Sequence, residues 1–209
     1  TRTLEVPGLC AGGECLDEVM LHGLDQRIAA LDPARVARGV VVVMHQMGSH
    51  GPAYYRRSPA SHKKFLPECT TNTLQNCPRH QIVNAYDNTL VYTDQALAST
   101  VRWLDQKSRA GNFDTALVYV SDHGESLGEN NLYLHGLPYA IAPDFQTHVP
   151  MLTWLSSAMQ KRSGVRVDCL QKNAAAPLSH DNLFHAMLGL LDLQTQVYQR
   201  GLDWLAPCR

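Results

Sequence analysis

Apolar residues recur at three- and four-residue steps over residues 16–31, at Leu16, Val19, Met20, Leu24, Ile28 and Leu31. That spacing places them on one face of an amphipathic helix, closed by Asp32 and Pro33. The pattern then changes to an unbroken run, Gly-Val-Val-Val-Val-Met at 39–44, which predicts a strand buried on both faces. Helical spacing returns over residues 79–107, with Ile82 or Val83, Tyr86, Leu90, Leu97, Val101 and Leu104 as the buried stripe and Gly111-Asn112 as its stop. Residues 116–120 and 149–155 predict two further strands, the second with Pro150 near its start. A last helix begins near Ser179 and is predicted to bury Leu183, Phe184, Met187, Leu188 and Leu191. Strand, loop and helix in alternation predict an α/β fold with a mostly parallel sheet flanked by helices.

In such sheets the chemistry collects in loops just past the carboxyl ends of strands. Three segments at such places carry histidine beside glycine: His-Gln-Met-Gly-Ser-His-Gly-Pro at 45–52, Asp-His-Gly-Glu at 122–125, and Leu-His-Gly at 134–136. Glycine lets the backbone turn sharply around a bound group. An aspartate oxygen beside imidazole nitrogens is a mixed donor set suited to Zn²⁺. The set would complete one site or half of a two-metal site, an arrangement that serves phosphoryl chemistry. Each segment also reads as simple turn chemistry, and spacing alone does not separate the two. The other histidines, His22, His62, His80, His148, His180 and His185, read as ordinary surface or core residues.

Composition narrows the class. The chain has 209 residues, 44% of them hydrophobic, and a net charge of -1. No basic face points to nucleic acid. No apolar run approaches the roughly 20 residues of a membrane helix. Six cysteines, the first four bracketing two short polar loops, suit local disulfides Cys10–Cys15 and Cys69–Cys77 and an oxidising compartment. Cys169 and Cys208 remain for a longer-range bridge, although six cysteines allow about 15 pairings. There is no signal peptide, and the opening Thr-Arg-Thr-Leu-Glu-Val-Pro reads as mid-chain. An exported chain without an export signal reads as a piece of a longer protein.

The run Met-His-Gln-Met-Gly-Ser-His-Gly-Pro-Ala-Tyr-Tyr at 44–55 resembles a loop of the lipid A phosphoethanolamine transferases, a family that includes colistin-resistance enzymes. Tyr-Asp-Asn-Thr-Leu at 86–90, Ser-Asp-His-Gly-Glu-Ser-Leu-Gly-Glu-Asn at 121–130, Tyr-Leu-His-Gly-Leu-Pro at 133–138 and Ala-Ile-Ala-Pro at 140–143 extend the resemblance. It implies an alkaline-phosphatase- or sulfatase-like α/β fold at the periplasmic face of the Gram-negative inner membrane. The 209 residues would form the C-terminal portion of one periplasmic catalytic domain, monomeric, with membrane contact through an N-terminal domain upstream of Thr1. A zinc-activated Thr would take phosphoethanolamine from phosphatidylethanolamine and pass it to a lipid A phosphate. That Thr and a Glu zinc ligand would also lie upstream, leaving these residues inactive by themselves.

Carried over by motif, Asp122 and His123 would bind the nucleophile-side zinc, and His50 and His135 the phosphate or a second zinc. His45 would support the catalytic group. Glu125 and Glu129 would support the metal ligands or bind the ammonium end, or else only orient loops. A hydrolytic sulfatase or phosphodiesterase would show similar metal residues, and a non-catalytic metal-binding piece would differ in having no turnover. The Tyr-Asp-Asn-Thr and Gly-Glu-Asn segments favour the transferase.

Overall fold

The structure is a computed structural model that describes residues 5–111 and 113–209. The mid-chain opening at Thr1 and the helix stop at Asn112 lie outside the described residues. In chain order the elements are β1 (Cys10–Ala11), β2 (Glu14–Cys15), α1 (Leu24–Ala29), α2 (Pro33–Val36), α3 (Arg79–Arg109) and β3 (Ala116–Val120). They continue with β4 (Ser126–Leu127), β5 (Tyr133–Leu134), α4 (Asp144–Thr147), β6 (Met151–Leu155), α5 (Ser157–Ser163), α6 (Val167–Lys172) and α7 (Asp181–Leu190). Short 3₁₀ turns, among them Asp17–Leu21, link them. The chain divides into two compact units: residues up to Thr100 with His123–His148, and Val101–Asp122 with Val149–Arg209.

In the first unit, Tyr54, Cys69, Leu74, Ile82, Ala85 and Leu127 form the core, with Val83, Tyr86, Tyr133 and Leu134 packed against them. The disulfide Cys69–Cys77 contributes both of its half-cystines to this cluster. The helix predicted over 79–107 is α3, but its buried face differs from the predicted stripe. Ile82, Ala85, Asn88, Thr89, Tyr92, Thr93 and Ala96 are buried, whereas Leu90 is exposed. Asn88 turns inward because its side chain is satisfied. Its carbonyl accepts from the amides of Lys64 and Phe65, and its amide donates to Phe65 O and Glu68.

The amphipathic helix predicted over 16–31 is broken. Gly23 adopts φ +67°, a left-handed conformation that favours glycine, between the turn Asp17–Leu21 and α1. Only Leu24 of the predicted apolar face is buried. The valine run at 39–44 forms no strand, and Val41, Val42 and Val43 are 56%, 43% and 87% exposed. Among the described residues no strand pairs with it, and an extended segment without a ladder partner has nothing to hold it as sheet.

In the second unit β3 and β6 pair antiparallel, Ala116 opposite Leu155 and Val120 opposite Met151. Within the α/β class, this differs from the parallel pairing the alternation predicts. The chain leaves β3 at Val120 and re-enters β6 at Met151, at the same end of the ladder, so residues 121–150 act as a long hairpin excursion rather than a crossover. Side chains of Leu155, Met159, Val165, Leu190 and Leu205 make the core here. Helix α5 begins at the N-cap Ser156, which accepts from Met159 N, and ends at Gly164 with φ +73°. Helix α7 buries His185, Ala186 and Leu190, while Phe184 and Leu191 of the predicted face are exposed. Disulfide Cys169–Cys208 closes this unit, and Cys10–Cys15 closes the β1–β2 hairpin of the first. The three pairings are those predicted from the sequence. Among the described residues no helix is long and apolar enough to cross a membrane.

Candidate functional site

The loop at 45–52, the turn following Asp122 and the end of β5 bring three of the predicted histidines together in the first unit. One ring nitrogen from each of His50, His123 and His135 lies within 4.8 Å of those of the other two. His123 and His135 stack with ring centroids 3.7 Å apart, and His50 meets His135 edge-on at 5.0 Å.

Hydrogen bonds fix how these rings are presented. His50 Nδ1 lies 2.7 Å from Gly51 O, and His123 Nδ1 lies 3.1 Å from Gly124 O. A carbonyl oxygen only accepts, so Nδ1 carries a proton in both rings and Nε2 is the nitrogen left to bind a metal. His135 Nδ1 lies 3.3 Å from Glu125 Oε1, which assigns its ring the same tautomer. Three imidazoles held through Nδ1, with a carboxylate behind one of them, form the arrangement that orients metal-binding histidines.

Glu125 sits beneath the cluster and is 7% exposed. Besides His135, it accepts from Gly51 N at 2.9 Å and from the Tyr54 hydroxyl. Burial first, and then the charge and hydrogen bond of Glu125, raise the Tyr54 phenol above its ordinary value, so it remains a donor. Its oxygens thereby tie the 45–52 loop, Tyr54 and the His135 ring together. Glu129 likewise orients backbone: it accepts from Leu127 N at 2.6 Å and pairs with Arg79 at 2.7 Å. Burial pushes its carboxyl upward, but its own amide, that of Leu127 and the Arg79 charge outweigh this and leave it below its ordinary value.

Glycine is required at two points of the site. A Cβ on Gly51 would stand 2.5 Å from Leu134 Cδ2 and 2.7 Å from the Tyr54 oxygen. A Cβ on Gly124 would stand 2.1 Å from Phe145 O, a backbone atom that cannot swing away. The tight packing that brings the loops together therefore excludes any side chain at these positions.

The remaining predicted residues are not among the three converging rings. His45 is exposed at the start of its loop and is not one of the three converging rings. Asp122 follows β3 by two residues, directly before His123, and is likewise not in that group. Of the six histidines read as ordinary, His185 is a satisfied core residue whose Nδ1 accepts from Gln199 N at 3.1 Å. His180 bonds Ser121 O through Nε2, and His62 packs on Tyr92. Tyr54 and Asp17 support the site and are not singled out by the sequence reading. The Tyr-Tyr pair of the 44–55 run is the one local hint of the first.

A family profile described as Sulfatase matches residues 1–193. The chain is 53% identical over 207 residues to the phosphoethanolamine transferase EptA of Salmonella typhimurium, covering 99% of this chain and 37% of that one. It therefore spans little more than a third of that curated relative's length. It is 41% identical over 180 residues to the phosphatidylethanolamine transferase Mcr-1 of Escherichia coli, covering 86% of this chain and 31% of that one. Among solved structures, the soluble domain of a lipooligosaccharide phosphoethanolamine transferase from Neisseria meningitidis superposes with a TM-score of 0.89 at 43% identity, covering 98% of this chain and 59% of that one. These matches assign the alkaline-phosphatase-like α/β fold. The chain belongs to the sulfatase family, and the members it matches there are phosphoethanolamine transferases.

Proposed function

We propose that the protein containing this chain is a zinc-dependent phosphoethanolamine transferase, with phosphatidylethanolamine as donor and a lipid A phosphate as acceptor. One observation carries the reading: His50, His123 and His135 converge with each Nδ1 engaged by an oxygen and with Glu125 buried behind them. Three imidazoles that can each offer Nε2 fit Zn²⁺, and relatives matched over nearly the whole chain bear transferase names.

In this reading Asp122 and His123 would hold the zinc that serves the nucleophile. His50 and His135 hold the donor phosphate or a second zinc, and His45 lies nearby as a supporting group. Bound zinc supplies positive charge that favours the ionised hydroxyl and screens the phosphate oxygens. The chain's own residues position these groups: Gly51 and Gly124 permit close approach, and Glu125 sets the His135 ring. The nucleophile is a Thr of the upstream sequence. Thr89 is 1% exposed and its hydroxyl donates to Tyr86 O, so it is engaged in the helix. Thr70, Thr71 and Thr73 lie inside the disulfide-closed Cys69–Cys77 loop.

Transfer takes two steps. A Thr oxygen–phosphorus bond forms as the phosphorus–oxygen bond to diacylglycerol breaks, and the Thr proton passes to the leaving oxygen. An oxygen of the lipid A phosphate then attacks the same phosphorus as the Thr oxygen–phosphorus bond breaks, and the proton of that phosphate passes to the Thr oxygen. The protein works as a monomer at the periplasmic face of the inner membrane.

The test uses the full-length protein in vesicles holding phosphatidylethanolamine and lipid A. Mass spectrometry of lipid A is expected to show one added phosphoethanolamine group, lost on zinc chelation and in His123→Ala. Release of free phosphoethanolamine into water with unmodified lipid A would indicate a hydrolase and contradict the proposal.

A further inference from the structure

His50 sits in a long irregular stretch, residues 40–53, whereas His123 and His135 each lie within three residues of a strand. What fixes that loop is a set of polar ties, and the first involves a residue some thirty positions upstream. Asp17 Oδ1 accepts from Met47 N and Asp17 Oδ2 accepts from Gly48 N, both at 2.9 Å. These two amides belong to the turn that His50 N closes by donating to Met47 O at 3.1 Å. Gly48 sits at φ +52° within that turn. A carboxylate that uses each oxygen on one of two successive amides fixes both the position and the rotation of the turn.

Further ties converge on the same few residues. The hydroxyls of Thr89 and Ser49 are 2.6 Å apart. Because the Thr89 proton goes to Tyr86 O, the Ser49 hydroxyl donates to Thr89. Arg57 donates to His50 O at 3.3 Å and meets Glu14 of the disulfide-closed β1–β2 hairpin at 3.4 Å. Asp17 itself follows that hairpin at the start of the turn Asp17–Leu21. The hairpin and the Asp17 turn thus form a scaffold under the loop that presents His50.

We propose that Asp17 is a positioning residue for the transfer site, holding the Met47–Gly48 turn so that the His50 ring reaches the other two histidines. The inference rests on the metal and phosphate reading of that cluster. Asp17→Asn is nearly isosteric but keeps one acceptor and sets an amide donor against a backbone amide. It therefore breaks one of the two bonds without changing the volume. Asp32→Asn is the matched control, an exposed aspartate that accepts from Ala34 N at the start of α2 and has no tie to the loop.

Two measurements on full-length protein decide it. The first is amide hydrogen exchange of the 45–52 peptide without zinc, read by mass spectrometry. It is expected to rise about 10-fold in Asp17→Asn, with other peptides unchanged, and not to rise in Asp32→Asn. The second is chelator competition for Zn²⁺, where Asp17→Asn is expected to bind about 10- to 100-fold more weakly than wild type, the scale for loss of an orienting partner. Asp17→Ala, which loses both bonds, is expected to equal or exceed it in both. Unchanged exchange in Asp17→Asn, or zinc affinity no weaker than in Asp32→Asn, overturns the assignment. If wild-type protein binds no zinc, the reading of the cluster fails, while the exchange measurement still decides whether Asp17 holds the loop.

Discussion

At the scale of single residues the site is organised by what lies behind the histidines. Tyr54 gives its hydroxyl proton to a buried Glu125, and Gly51 N takes another of that carboxylate's lone pairs. Tyr54→Phe removes one charge-assisted bond and leaves the ring packing intact. It is expected to cost about 2 kcal/mol in denaturant unfolding, within the range for bonds to charged groups. Gly124→Ala sets a methyl group 2.1 Å from Phe145 O, so the backbone around His123 must move. A loss of roughly 3 kcal/mol is expected, at the upper end for overpacking, together with weaker zinc binding in chelator competition. Glu129 makes its contribution visible in acid. Its folded carboxyl titrates below the ordinary value of 4.5, so its stabilisation is complete above that pH and is lost as pH falls through the lower, folded value. Unfolding midpoints measured from pH 6 downward are therefore expected to fall less steeply in Glu129→Gln than in wild type.

At the scale of elements, the three disulfides differ in what they restrain. Cys169–Cys208 spans 39 positions, Cys69–Cys77 spans 8 and Cys10–Cys15 spans 5. Loop-closure entropy assigns them about 4, 2.5 and 2 kcal/mol respectively. Paired Cys→Ala variants are expected to lose stability in that order by chemical denaturation. The two local cysteine pairs, α3, β3 and β6 are legible in the sequence because each rests on short-range spacing, and Cys169–Cys208 follows as the pair left over. The buried face of α3 is not, because Asn88, Thr89 and Thr93 go inside by finding hydrogen-bond partners in distant segments, which hydrophobic periodicity does not register. The 16–31 helix fails at Gly23, whose left-handed backbone outweighs the apolar spacing. The valine run at 39–44 has strand composition, but a strand also needs a neighbour, and the pattern of one segment says nothing about its partner.

At the scale of the whole molecule, chemistry and scaffold are read from different kinds of signal. The three histidine loops stand out because glycine and histidine cluster in short motifs, and the structure brings His50, His123 and His135 together. Their supports, Tyr54 and Asp17, are ordinary residue types whose roles exist only once the chain has folded. The chain spans 37% of the Salmonella EptA relative and 59% of the Neisseria soluble domain it matches. The measurement that tests this account most directly is zinc affinity by chelator competition in full-length wild type and in His50→Ala, His123→Ala and His135→Ala. The account predicts at least a 100-fold loss for His123→Ala and at least a 10-fold loss for each of the other two. Wild-type affinity retained in all three variants would contradict it.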